Sequence, residues 1–130
     1  MASTNRILDV LETKASIVDG KISLPTKDVK GQVSFESVSF SYDERNPVFR
    51  ELSFQISPGE SIGIVGSTGS GKTTLLKLLL RFYEHSAGKI LLDDKEISSL
   101  TLSSLRDAIA LVSQDVFLID GSIKDNICYG

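Results

Sequence analysis

The sequence predicts an α/β fold that combines two kinds of sheet. Val33–Phe40 and Leu52–Ile56 alternate apolar and polar residues, the pattern of half-buried strands in an antiparallel sheet. Ile62–Val65 and Ile109–Val112 are short and apolar on both faces, the pattern of buried strands in a parallel sheet. Between those two runs, Thr73–Tyr83 predicts a helix. Leu75, Leu76, Leu78, Leu79, Leu80 and Phe82 make most of its circumference apolar, so it is expected to be buried.

The remaining elements follow in chain order. Ile7, Leu8 and Leu11 fall at helical spacing and predict a short amphipathic helix within residues 5–13. Residues 14–31 hold Gly20, Pro25 and Gly31 and read as a linker, or an arm over the surface. Two units are therefore expected, a linker over residues 1–31 and the domain proper over 32–130. Ser57-Pro58-Gly59-Glu60 has the chemistry of a turn. Gly88–Leu92 predicts a further strand. Thr101–Ala108 predicts a helix capped by Thr101 or Ser103, and residues 122–129 a short helix capped by Ser122.

Composition narrows the function classes. The 130 residues are 41% hydrophobic and 24% charged, as in an ordinary soluble domain. The net charge of −3 argues against a broad basic face, so no nucleic-acid partner is expected. The single cysteine, Cys128, leaves no internal disulfide and reads as a small hydrophobe. No run of eighteen apolar residues is long enough to span a membrane, and Met1–Val10 does not read as a signal peptide. His85 falls in a turn after the long helix and reads as a surface residue.

The chemistry concentrates in Gly66-Ser67-Thr68-Gly69-Ser70-Gly71-Lys72-Thr73, a Gly-x-x-x-x-Gly-Lys-Thr phosphate loop. Its context matches the motif, with an apolar strand before it and a helix after it. A triphosphate needs many donors converging on a small volume. Backbone N–H groups of a tight loop supply them when no side chains intervene, which Gly66, Gly69 and Gly71 allow. The loop opens a helix, whose free N–H groups and positive dipole end favour an anion. Lys72 is expected to reach the β- and γ-phosphates of ATP. The Thr73 hydroxyl is expected to ligate Mg²⁺, and Thr74 to donate on the α-phosphate side. Phosphate loops occur in many ATPases and kinases, so the loop alone names no family.

The flanking residues go further. Val38-Ser39-Phe40-Ser41-Tyr42 with Asn46-Pro47-Val48-Phe49, then Leu52 through Glu60, resemble the opening of the nucleotide-binding domain of ABC exporters. The resemblance continues through Arg81-Phe82-Tyr83, Gly88-Lys89-Ile90, Leu105-Arg106, Ser113-Gln114-Asp115 and Gly121–Ile127. Asn5–Glu12 resembles the segment that joins the last membrane helix of such exporters to the ATPase domain.

The resemblance implies roles. Tyr42 would stack on adenine, as an aromatic face can. Val48 would lie near the ribose. Gln114 would contact Mg²⁺ and the attacking water, so it is expected, with Lys72, to serve catalysis, and with Thr73 to hold the metal. The partners implied are the transmembrane domain of an exporter and a second nucleotide-binding domain in a head-to-tail dimer, at the cytoplasmic face of the cell membrane.

The family pattern also includes a helical subdomain with a Leu-Ser-Gly-Gly-Gln motif, a strand bearing a Mg²⁺-holding aspartate and the catalytic glutamate, and a switch histidine. None is found between Met1 and Gly130, and Asp93, Asp94 and Asp115 do not replace those acids. The fold class expected is thus a P-loop NTPase core with an incomplete parallel sheet, an antiparallel β subdomain and no helical subdomain. In the family's sheet the two apolar strands are separated by others, so Ile62–Val65 and Ile109–Val112 are expected to flank a gap with exposed edges. Removing one stabilising group from a site of this kind costs a factor of about 100 to 1,000. ATP binding without turnover is therefore expected of this chain alone. Two rival readings are a non-hydrolysing ATP-binding or interaction module from a truncated or split gene, and a soluble ABC-type ATPase of DNA maintenance or translation. The Asn5–Glu12 resemblance and the lack of a basic surface speak against the second.

Overall fold

A computed structural model gives the fold and describes residues 17–43, 45–112 and 118–128. Its centre is a four-stranded sheet of β1 (Val33–Ser41), β2 (Pro47–Ile56), β3 (Ala87–Leu92) and β4 (Lys95–Glu96). The strands run in the order β2-β1-β3-β4, and every neighbouring pair is antiparallel. Three α-helices accompany them among the described residues: α1 (Lys72–Leu79), α2 (Leu102–Asp107) and α3 (Ile123–Ile127).

The alternation in β1 does not run unbroken. Phe35, Val38 and Phe40 are all buried, although 35 and 38 cannot share a face of a regular strand. A bulge resolves this: the register against β2 shifts between Phe35 and Val38, and Ser37 takes φ 48°. The Ser53 hydroxyl accepts from the Ser37 N–H at 2.8 Å, and the Ser39 hydroxyl accepts from the Glu51 N–H at 3.0 Å. The bulge resets the phase so that Val38 and Phe40 join Phe35 in the core. Phe35 also stacks on Phe54 across the strand pair, with ring centroids 4.6 Å apart.

The core gathers Phe35, Val38, Phe40, Ile90 and Leu92 from the sheet with Leu78 of α1, Leu105 of α2, and Leu24, Ile97 and Leu100 from the connections. Leu24 lies in the arm, which is fastened along its length. Lys21 and Ile22 N–H groups donate to the Ser99 carbonyl at 2.9 Å each, Thr101 N–H donates to the Ile22 carbonyl at 2.8 Å, and Leu102 N–H donates to the Asp19 carboxylate at 2.7 Å. β3 and β4 are joined by Asp93 and Asp94, both at positive φ, which is the two-residue turn that suits the twist of a hairpin. Asp93 accepts from the N–H groups of Lys30 and Gln32, so these acids serve the turn and the arm.

α1 is shorter than the Thr73–Tyr83 pattern suggests because it closes in a Schellman motif. Phe82 N–H donates to the Lys77 carbonyl at 2.8 Å and Arg81 N–H to the Leu78 carbonyl at 3.0 Å, with Arg81 at φ 51° in the position that usually takes glycine. The Arg81 side chain holds that conformation. It is 3% exposed and donates to the carbonyls of Val18, Ile97, Ser98 and Leu100 and to the Glu84 carboxylate. The helix is also less buried than its composition suggests. Thr74 and Leu78 are buried, while Leu76 is exposed beside a groove formed with Ile62, Ile64, Phe54 and Ile56.

Two expected strands do not form. Ile62–Val65 and Ile109–Val112 carry no ladder hydrogen bonds among the described residues, and Val65 is 93% and Val112 94% exposed. A strand exists only through a partner that accepts and donates along its edge. The one parallel pairing among the described residues is the isolated bridge of Ile22 with Leu100. The two helix caps do form. The Thr101 hydroxyl accepts from the Ser104 N–H, and Ser122 and Asp125 exchange side-chain and backbone bonds as a capping box. The helix expected at residues 5–13 lies outside the described residues, and no described helix is long and apolar enough to cross a membrane.

Candidate nucleotide site

The phosphate loop runs from the Ile62–Val65 segment into α1. Ser70 N–H donates to the Ser67 carbonyl at 3.2 Å, which curls the loop, and Gly71 caps the helix at φ 95°. Glycine is required there twice over. The conformation is left-handed, and a Cβ would stand 2.7 Å from the Phe49 ring and 2.9 Å from Val48. β2 therefore supports the loop from below through those two side chains.

Lys72 turns its ammonium back onto the loop. Nζ donates to the carbonyls of Gly66 at 2.7 Å and Ser67 at 2.8 Å, with the Ser70 hydroxyl at 3.5 Å. The charge is thus held at the loop's mouth on carbonyl acceptors that can be exchanged for phosphate oxygens. Above the loop a cleft of about 460 Å³ is lined by Tyr42, Val48, Thr68, Gly69, Gly71, Lys72, Thr73 and Thr74. Gly66, Ser67 and Ser70 shape the loop without lining the cleft.

Tyr42 reaches the cleft from the end of β1, across the fold from α1. Its ring is 50% exposed, and its hydroxyl meets the Thr74 hydroxyl at 3.1 Å. The turn that follows it is fixed by Asp43, whose carboxylate accepts from the N–H groups of Asn46 at 2.8 Å and Arg45 at 2.9 Å. Those bonds, the Asn46 backbone bond first, hold the Asp43 carboxyl below its ordinary pKa. Thr73 is exposed at the start of α1, where a hydroxyl can serve as one oxygen ligand to Mg²⁺. Gln114 lies outside the described residues.

The structure brings together residues that the sequence does not connect. The hydroxyls of Thr74 and Tyr42 meet, so Thr74, buried and lining the cleft, also anchors the Tyr42 ring. Tyr83 and Lys77 also gather at Tyr42. Tyr83 packs perpendicular to it at 5.0 Å, and Lys77 Nζ stands 5.8 Å from both ring centroids. One signal was available: Lys77 lies one turn after Thr74 on the same helix face.

A glycine-rich loop that opens a helix beneath an aromatic side chain defines a nucleotide-binding P-loop domain. The family pattern for ABC transporters matches residues 49–127, and the chain belongs to that family. It is 45% identical over all 130 residues to the fatty acid ABC transporter ATP-binding/permease protein of Mycobacterium bovis, covering 20% of that protein. It is 42% identical over 124 residues, 95% of the chain, to the ATP-dependent lipid A-core flippase of Alcanivorax borkumensis, covering 21% of it. Its fold superposes on a bacterial Atm1-family ABC exporter solved with ATP bound, with a TM-score of 0.88 and 34% identity over 99% of this chain and 23% of that one. The chain thus spans about a fifth of the length of the relatives it matches, and it is similar to the ATP-binding portion of exporter-type ABC transporters.

Proposed function

We propose that this chain is the ATP-binding part of an ABC exporter, in which binding and hydrolysis of ATP drive movement of a substrate across a membrane. The observation that carries the reading is one cleft in which the phosphate loop, the start of α1 and the Tyr42 ring face the same space. ATP would place its triphosphate on the loop N–H groups and the Lys72 ammonium, and its adenine against Tyr42. When bound, Mg²⁺ would neutralise phosphate charge, with Thr73 and Gln114 as the residues to hold it. Gly66, Ser67, Thr68, Gly69, Ser70 and Gly71 supply the backbone of the cradle.

The wider reading rests on the relatives, which are named as ATP-binding/permease proteins and flippases. It places the domain at the cytoplasmic face of a membrane, joined to a transmembrane domain and paired with a second nucleotide-binding domain. Alone, this chain is proposed to bind ATP and not to turn it over, because no described carboxylate stands in the cleft.

Titration with a fluorescent ATP analogue tests the site. A charge-assisted hydrogen bond contributes roughly 1.5–3 kcal/mol, so Lys72→Ala is expected to weaken binding about ten- to a hundredfold. Equal affinity in the two proteins would remove the phosphate loop from the function. Phosphate release with Mg²⁺ and ATP tests the second part: turnover that disappears in Lys72→Ala would show a complete catalytic centre in this chain.

A further inference from the structure

We propose that Tyr83 is a positioning residue for the nucleotide base, acting through Tyr42; the inference rests on the nucleotide-site reading above. An aromatic platform serves a base only if its ring is already in place, since ordering a mobile side chain on binding subtracts from affinity. Tyr42 is half exposed at the end of a strand, so its own burial does not fix it. Three contacts do. Its hydroxyl is tethered to Thr74 at 3.1 Å. Phe40, buried in the core, packs perpendicular to it with centroids 4.9 Å apart and planes at 82°. Tyr83 packs perpendicular at 5.0 Å and 89°, and itself meets Phe40 at 5.8 Å. These are the favoured edge-to-face arrangements of aromatic pairs. The Lys77 ammonium, 5.8 Å from the centroids of Tyr42 and Tyr83 alike, adds a cation shared by the two rings.

The hydroxyl tether fixes one end of the Tyr42 ring and leaves rotation about it. Phe40 limits that rotation from the core, and Tyr83 limits it from beyond the end of α1. The cleft is lined by Tyr42 and not by Tyr83, so Tyr83 is assigned an effect through the Tyr42 ring and not a contact of its own. Its effect should therefore fall on the base and leave the phosphates alone.

The experiment measures the affinity of the chain for ATP and for inorganic tripolyphosphate in the wild type and in Tyr83→Ala, Tyr83→Leu and Tyr83→Phe. Loss of one perpendicular ring contact corresponds to about a two- to tenfold loss of ATP affinity in Tyr83→Ala and Tyr83→Leu. Tripolyphosphate affinity is expected to stay at the wild-type level, and Tyr83→Phe to restore ATP binding because the contact uses the ring. Tyr83→Leu keeps apolar bulk and so guards against an alanine variant that does not fold. Unchanged ATP affinity in the leucine variant, or an equal loss for both ligands, would overturn the proposal. A wild-type chain that binds neither ligand would overturn the nucleotide site itself, which is a different result.

Discussion

The Tyr42 hydroxyl lies 3.1 Å from the Thr74 hydroxyl, which ties the end of β1 to the first turn of α1. The two sides of the cleft, the aromatic side and the phosphate side, are thereby one piece. Tyr42→Phe removes the tether and keeps the ring, while Tyr42→Ala removes both. An ordinary hydrogen bond contributes about 0.5–1.5 kcal/mol and a stacked aromatic about 1–3 kcal/mol per base. ATP titration is expected to rank affinity as wild type, then Tyr42→Phe, then Tyr42→Ala. Equal damage from the last two would assign the whole effect to the hydroxyl.

Gly71 and Gly69 make a matched pair for the loop. Both have positive φ, 95° and 84°, but only Gly71 has Phe49 and Val48 where a Cβ would go. A left-handed conformation costs an L-residue about 1–2 kcal/mol. Gly69→Ala is expected to lose about that much stability, and Gly71→Ala more, because the Phe49 ring must also move. Urea midpoints compare them directly; the opposite order would mean that β2 does not support the loop.

How far these features are legible in the sequence depends on their range. The caps at Thr101 and Ser122 are local chemistry and can be read from the residues themselves. The phosphate loop is legible for the same reason, as its glycines and lysine are contiguous. The bulge at Ser37 is marked only by a break in alternation between Phe35 and Val38, easily passed over. Arg81 falls within the Thr73–Tyr83 helical pattern with no role of its own, whereas the structure buries it among carbonyls from two distant segments. The strands at Ile62–Val65 and Ile109–Val112 fail for a different reason. Their apolar pattern states that they should be covered on both faces, and a sequence pattern cannot say by which segment.

Arg81 yields a prediction about stability. Arg81→Ala leaves the Leu100 carbonyl without its Arg81 donor, while the Ile97 carbonyl keeps the Leu100 N–H, and an unsatisfied buried polar group costs about 1–3 kcal/mol. Arg81→Lys keeps the charge but cannot supply two forked donors, so it should recover only part of the loss. Thermal melts of the two variants beside the wild type check this. An Arg81→Lys midpoint equal to wild type would show that the charge alone matters.

Asp43 yields a prediction about pH. Its folded pKa is depressed by the Asn46 and Arg45 backbone bonds, so what it contributes is present above the ordinary carboxylate value. That contribution is lost as pH falls through the lowered, folded value. The amide resonances of Arg45 and Asn46 are expected to hold their positions down to the ordinary carboxylate value and to move only below it. A titration midpoint at or above the ordinary value would mean that the turn after Tyr42 is not closed in solution.

The fastening of the arm has a mechanical meaning. The bonds at Val18, Asp19, Lys21 and Ile22 all grip the stretch from Ser99 to Leu102 or the Arg81 guanidinium that spans it. The hold is thus divided among four residues within five positions of the chain, and no single bond carries it alone. One of those anchors, Arg81, is the residue closing α1, and the opposite end of α1 is Lys72. The arm's hold on Arg81 and the root of the phosphate loop therefore stand at the two ends of one helix about 12 Å long.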